Sequence, residues 1–172
     1  MRFAGWDMLV SVAAGTLVVD QLSKALVLRF LGPRGSVEEV VLVPGILRLF
    51  YVENTGAAFG IFQGRNPLLA VLALGVVGLL VVWFRQLAQS SWGAVALGLQ
   101  LGGAFGNLVD RFRHGFVVDF IDFPFWPTFN VADSAITVGV LLLLALLLRS
   151  EHPSRARDER AAESFDTERT AR

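Results

Sequence analysis

Apolar residues run in long stretches along this chain, and polar positions collect between them. Four stretches, Trp6–Phe30, Pro67–Phe84, Trp92–Leu108 and Val131–Leu148, qualify by length as membrane helices. Eighteen helical residues rise about 27 Å, close to the ~30 Å hydrocarbon core of a bilayer. In the second and fourth, where Asp133 is the one charged residue, all-round apolarity leaves no amphipathic face to present to water. The first stretch has small residues at Ser11-Val12-Ala13 that resemble a cleavage site, but its hydrophobicity continues to Val19. It therefore reads as an uncleaved helix and not as a removed leader.

The intervening segments carry a second pattern. Val40–Val43 and Ile46–Val52 are rich in β-branched and aromatic residues and are separated by Pro44-Gly45, which predicts a hairpin inside a β-rich loop over about 36–62. On the same side of the spans lies a loop over about 112–130, expected to hold the active site. The chain thus predicts an all-α membrane protein with four transmembrane helices plus a small extracytoplasmic β-rich element. The helices form one domain over 1–150. A tail over 151–172 alternates Arg with Asp and Glu and is expected to be disordered and cytoplasmic. Four spans put both termini on one side; the arginine bias between the two sides is modest and favours the cytoplasm.

Composition sharpens this picture. Hydrophobic residues make up 54% and charged residues 17%, with a mean hydropathy of +0.58; soluble domains carry about a quarter charged residues. The formal net charge is zero and the basic residues are scattered, so no nucleic-acid surface is expected. There is no cysteine, and His114 and His152 lie far apart, so neither thiol chemistry nor a metal site is expected. No cofactor is implied.

Ionisable groups at bilayer depth are costly, by about 2.5–3.5 kcal/mol on insertion scales, so each calls for a reason. Asp20 and Lys24 stand four apart on the first helix, and Lys24 is the chain's one lysine beside fourteen arginines. They read either as a neutralised pair near the interface, with Lys24 snorkelling to water, or as the support of a site. Gly98, Gly102 and Gly106 make a small-residue stripe on the third helix, suited to close packing. Asn107, Asp110 and Arg111 follow within one turn, as a converging set or as an interfacial cap. Asn130 suits a helix N-cap, and Asp133 falls where a capping-box acid sits.

Asp119 changes the weight of these readings. It stands fourteen residues before Asp133 among apolar neighbours, and Pro124 and Pro127 between them discourage a continuous helix. The chain can fold back there and bring the two carboxylates together. Such a pair cannot ionise twice cheaply: one member holds a proton while the other is an anion. An acid and a base side by side can activate water and polarise a peptide carbonyl. Ser23 and Lys24 are adjacent and diverge on a helix, against a Ser–Lys hydrolase. Asp122 reads as a solvated loop acid.

Five blocks carry a resemblance: DQLSK at 20–24, NTGAAFG at 54–60, GGAFGNLVDR at 102–111, VVDFID at 117–122 and FNVADSAI at 129–136. In this order on four spans the sequence resembles the bacterial lipoprotein signal peptidases (signal peptidase II). The resemblance implies an aspartic endopeptidase at the outer face of the bacterial inner membrane. Its substrates would be diacylglyceryl-modified prolipoproteins, cut just before the lipidated cysteine. It implies Asp119 and Asp133 as the catalytic pair; Asn54, Asn107, Arg111 and Asn130 as substrate-binding; and Asp20, Lys24, Gly56 and Asp110 as supporting. The expected partners are prolipoprotein and membrane lipid, with the chain a monomer and NTGAAF part of a lid. A proton-coupled transporter or a membrane scaffold are the competing classes, since intramembrane charges also build ion paths.

Overall fold

The computed structural model describes residues 4–56 and 90–149, with Val71, Gly75, Gly78, Leu79 and Val82 as helical positions between them. Apart from those five, the second predicted span lies outside the described residues, as do most of NTGAAFG and the charged tail. The described chain runs α1 (Ala4–Phe30), β1 (Glu39–Val43), β2 (Leu47–Asn54), α2 (Ser91–His114), β3 (Val117–Phe123), β4 (Trp126–Phe129) and α3 (Val131–Arg149). Each of the three helices is long and apolar enough to cross a membrane, α3 most of all with a mean hydropathy of 2.4.

Helix α2 is the middle of the assembly. Ser90 caps its start, accepting a hydrogen bond on Oγ from Gly93 N–H at 3.0 Å. Gly115, at φ 80°, ends it and donates its N–H to Arg111 O, a left-handed cap that glycine adopts without strain. The helix thus runs six residues beyond the predicted Leu108 and carries Asp110 and Arg111 inside it. The glycine stripe faces α1: a Cβ at Gly98 would meet Val12 and Leu9 O, and one at Gly102 would meet Ala13 O and Thr16. Gly103 lies equally close to α3, at Ala132 O and Ile136. Ala94, Leu97, Leu101 and Ala104 pack on Leu9 to fill the α1–α2 seam. With hydrocarbon outside, such seams rest on close van der Waals fit.

The four strands among the described residues pair antiparallel in one sheet, in the order β1-β2-β3-β4. The predicted hairpin turns at Pro44-Gly45, with Gly45 at φ 71° and Ile46 N–H donating to Val43 O at 3.0 Å. The stretch expected as an active-site loop over 112–130 is instead a second hairpin, β3–β4. Its β-branched and aromatic residues fill strands, and Pro124-Phe125 forms the tight turn that the prolines foreshadowed. Pairing of β2 with β3 joins hairpins that are distant in sequence: Arg48 faces Asp122 and Val52 faces Asp119. Between Leu49 and Val52 the register slips, placing a bulge at Phe50-Tyr51 opposite Phe120, next to the Val52–Asp119 pair. Val118 and Phe120 bury against Val27 and Leu31 at the end of α1, which seats the sheet on the helices.

Gly102→Leu should force α1 and α2 apart, costing about 1–3 kcal/mol as overpacking does. Gly15→Ala, where a Cβ meets nothing within 4 Å, should leave stability nearly unchanged. Thermal unfolding in detergent checks both: the first midpoint should drop by several degrees and the second should not.

Candidate functional site

The ends of α1, α2 and β2 and the starts of β3 and α3 meet at one buried polar cluster. At its base lies Lys24. Its Nζ stands 2.9 Å from Asp20 Oδ2 and 2.8 Å from Asp110 Oδ2, and donates to Asn107 Oδ1 at 2.9 Å. Lys24 and Asp110 are 2% exposed and Asp20 is 0% exposed. The snorkelling reading of Lys24 is therefore overturned: the ammonium turns inward, where two carboxylates and an amide replace its water shell. The carboxylates also serve the backbone. Asp20 Oδ1 accepts from Ala132 N–H at 2.9 Å, in the first turn of α3. Asp110 Oδ2 accepts from Val118 N–H at 3.1 Å, at the start of β3. Gly106 has no side chain because the Asp20 carboxylate fills that space.

Above this base lie the two predicted acids. Asp119, on β3, accepts from Asn130 Nδ2 at 2.6 Å and from Asn54 Nδ2 at 2.8 Å. Asp133 accepts from Asn107 Nδ2 at 2.7 Å and from Asn130 N–H at 3.3 Å, while its own N–H donates to Asn130 Oδ1 at 2.9 Å. That reciprocal pair is the capping box expected from the sequence. Asn130 thus touches both acids, and its Nδ2 also reaches Asn107 Oδ1 at 3.2 Å. Burial, reinforced by the nearby Asp133, pushes the Asp119 carboxyl up to about 7, although Asn54 and Asn130 favour its anion.

Both acids border a cavity of about 300 Å³, walled in part by Trp126, Pro127 and Ile136. Arg111 lines it as well. Its Nη1 donates to Asn107 O at 3.3 Å and its Nη2 to Gly56 O at 3.5 Å, while Nε is buried without a hydrogen-bond partner among the described residues. Gly56 N–H donates to Asn54 Oδ1 at 2.9 Å, folding the end of β2 over the cavity. All ten singled-out residues therefore gather in or beneath one cavity. No group of three or more His, Cys, Asp or Glu suited to a metal occurs among the described residues.

Asp122 stands apart from them and is not the solvated loop acid expected. It lies on β3, buried, 2.6 Å from Arg48 Nε, and accepts from Thr128 Oγ1 at 2.8 Å. Arg48 also pairs with Glu39 at 2.8 Å, so one polar row crosses all four strands. The Arg48 guanidinium holds the Asp122 carboxyl below its usual range. Gln21 was not singled out by sequence reasoning, yet its Nε2 donates to Asp110 Oδ1 at 2.9 Å, Asp20 at 3.2 Å and Gly106 O at 3.2 Å. Its place in DQLSK, three residues before Lys24, was the available signal.

Three apolar helices among the described residues, with carboxylates, amides and an arginine gathered at one end, define an integral membrane protein with a buried polar site. The family model for "Signal peptidase (SPase) II" matches residues 12–149. A lipoprotein signal peptidase of Syntrophomonas wolfei is 46% identical over 148 residues, covering 86% of this chain and 93% of that one. One of Halothermothrix orenii is 38% identical over 135 residues, covering 78% and 91%. A solved bacterial membrane enzyme superposes with a TM-score of 0.72 at 29% identity, over 83% of this chain and 88% of its own. The chain belongs to the signal peptidase II family, and is a peptidase.

Lys24→Met would leave Asp20 and Asp110 buried with no cation. Removing one partner of a buried ion pair costs about 3–5 kcal/mol. The expected outcome is a large fall in the unfolding midpoint in detergent, with little folded protein recovered. A midpoint equal to wild type would contradict the described burial.

Proposed function

We propose that the chain is a four-span peptidase of the bacterial inner membrane, with both termini cytoplasmic and its site at the extracytoplasmic face. In this reading it removes signal peptides from diacylglyceryl-modified prolipoproteins, cutting before the lipidated cysteine and working as a monomer. The fourth span is the Pro67–Phe84 segment. The observation that carries the proposal is the placement of Asp119 and Asp133 on one cavity at the end of apolar helices, linked by Asn130. A diacylated cysteine keeps its acyl chains in the bilayer, so its scissile bond must be met at that depth.

The two acids then divide the work. Asp133, at a helix start whose dipole and backbone favour negative charge, takes a proton from water as the water oxygen attacks the peptide carbonyl carbon. Asp119, whose carboxyl titrates near 7, gives its proton to the carbonyl oxygen. Collapse of the tetrahedral species passes a proton to the departing cysteine nitrogen and frees the signal peptide. Arg111 and the asparagine amides offer donors to the carbonyls of an extended peptide. Asn54 and Gly56 border the cavity in which the peptide would lie. The row through Asp122 shapes the sheet and takes no part in proton transfer. Ionisable side chains gathered at one end of the helices favour this reading over a proton path through the membrane.

Asp119→Asn and Asp133→Asn should each lower cleavage of a diacylglyceryl-modified prolipoprotein by at least about 1,000-fold while leaving the unfolding midpoint near wild type, as loss of an essential acid or base does. Asp122→Asn should cleave. The unlipidated substrate should remain intact with every form. Size shift on a gel reads each result, and full activity in Asp119→Asn would sink the assignment.

The pH dependence follows from Asp119. Its folded value, about 7, lies above the ordinary carboxylate value of 3.8, so its proton is held at low pH and lost as pH rises through about 7. Activity in steady-state assays should therefore fall above about pH 7, and the stability contributed by protonated Asp119 should decline between about pH 4 and 7. A rate that keeps rising to pH 9 would contradict the role given to Asp119.

A further inference from the structure

The three asparagines at the acid pair are not held in the same way. An amide can turn over about its last torsion and exchange its oxygen and nitrogen, so a neighbour that can only donate must fix it. For Asn54 that neighbour is Gly56 N–H, at 2.9 Å, and for Asn130 it is Asp133 N–H, at 2.9 Å. Both are backbone. Asn107 Oδ1 instead receives its bonds from side chains, Lys24 Nζ at 2.9 Å and Asn130 Nδ2 at 3.2 Å. Asn130 Nδ2 is held as a donor by the Asp133 N–H at its Oδ1, and the ammonium, the nearer of the two, has no acceptor of its own. Turned over, Asn107 would set its NH2 against a cation and its carbonyl oxygen against the Asp133 carboxylate, which it now approaches to 2.7 Å.

We infer that Lys24 is a positioning residue for the reaction: by fixing the amide of Asn107 it presents a donor to Asp133 and holds that carboxylate in place as the base. The inference rests on the peptidase reading above. It gives Lys24 a part that charge compensation alone does not require, since its pairing with Asp20 and Asp110 would be the same wherever Asn107 pointed. The groups facing the acid pair from the packed elements are Asp20 and Lys24 on α1, Asp110 and Arg111 on α2, Asp119 on β3 and Asp133 on α3. Among them Lys24 alone donates to the Asn107 side chain while also pairing with the two acids beneath it.

Lys24→Met alone is expected to destabilise the fold, so the test pairs it with Asp110→Asn. The double variant removes one positive and one negative charge and leaves the buried base with its original net charge. Asn at 110 keeps an oxygen for Val118 N–H. Four forms are compared in detergent on a synthetic diacylglyceryl-cysteine prolipoprotein peptide: Asp110→Asn, Lys24→Met/Asp110→Asn, Asn107→Ala/Asp110→Asn and the triple variant. Relative to Asp110→Asn, the Lys24→Met step should lower kcat by about 100-fold, the scale on which misplaced catalytic groups act, with KM within about threefold. Its pH–rate profile should have an acid limb moved up by about one unit, because a cation beside the pair is gone. In the Asn107→Ala background the same step should cost less than about threefold, since residues acting through one another are not additive. Multiplying losses in the triple variant, an unchanged kcat, or a double variant that does not fold would make Lys24 structural and overturn the inference. No cleavage by folded wild type would overturn the peptidase reading, and this inference with it. Cleavage by wild type with additive losses would overturn this inference alone.

Discussion

A single ammonium shared between two buried carboxylates is the interaction on which the other contacts of this protein depend. Lys24 holds Asp20 and Asp110 together across α1 and α2, Gln21 donates to both, and each carboxylate also accepts from a backbone N–H of a different element. Through Asp20 the base reaches the first turn of α3, and through Asp110 it reaches the start of β3. Unpaired charges at this burial would be expelled to water or neutralised. The pairing therefore sets both the spacing of the helix ends and the point at which the sheet begins. Asn107 and Asn130 stand on that base, so the geometry of the upper acids is inherited from below.

Close approach makes this possible. Gly98 and Gly102 let α1 lie against α2, and Gly106 leaves the space that the Asp20 carboxylate occupies. A side chain at 106 would push Asp20 away from Lys24 and from Ala132 N–H. The same stripe thus serves two ends: along most of its length it is apolar packing, and at its last member it is room for charge. The sheet contributes a wall of different character, tied across its strands by Glu39, Arg48, Asp122 and Thr128. Its slip in register lies opposite Phe120, one residue from the acid that borders the cavity.

Much of this was legible in the residues. Long apolar runs marked α1, α2 and α3, because a helix in lipid satisfies its own backbone. Pro44-Gly45 marked a turn, and Asn130 with Asp133 marked a cap, since both signals are local. Asp119 and Asp133 were legible as a pair because two acids among aromatic neighbours need a joint explanation. What was not legible is relational. Val117–Phe129 reads as loop until its partner strand β2, more than sixty residues earlier, is known to lie beside it. Lys24 four residues after Asp20 suits an interfacial pair or a buried one equally well, and only Asp110, far along the chain, decides between them. Asp122 is ambiguous for the same reason: its partner Arg48 sits on a distant strand.

That dispersion has a consequence for how the protein comes into being. Asn54 reaches Asp119 across 65 positions, and Asp20 reaches Ala132 across 112. A ribosome that has delivered the chain only to Phe123 has supplied one acid of the pair and not Asn130 or Asp133. The cluster is complete only once residues from α1, α2, β2, β3 and α3 are all present. A chain made only as far as Phe123 therefore holds Asp119 without the two residues, Asn130 and Asp133, that complete the cluster around it.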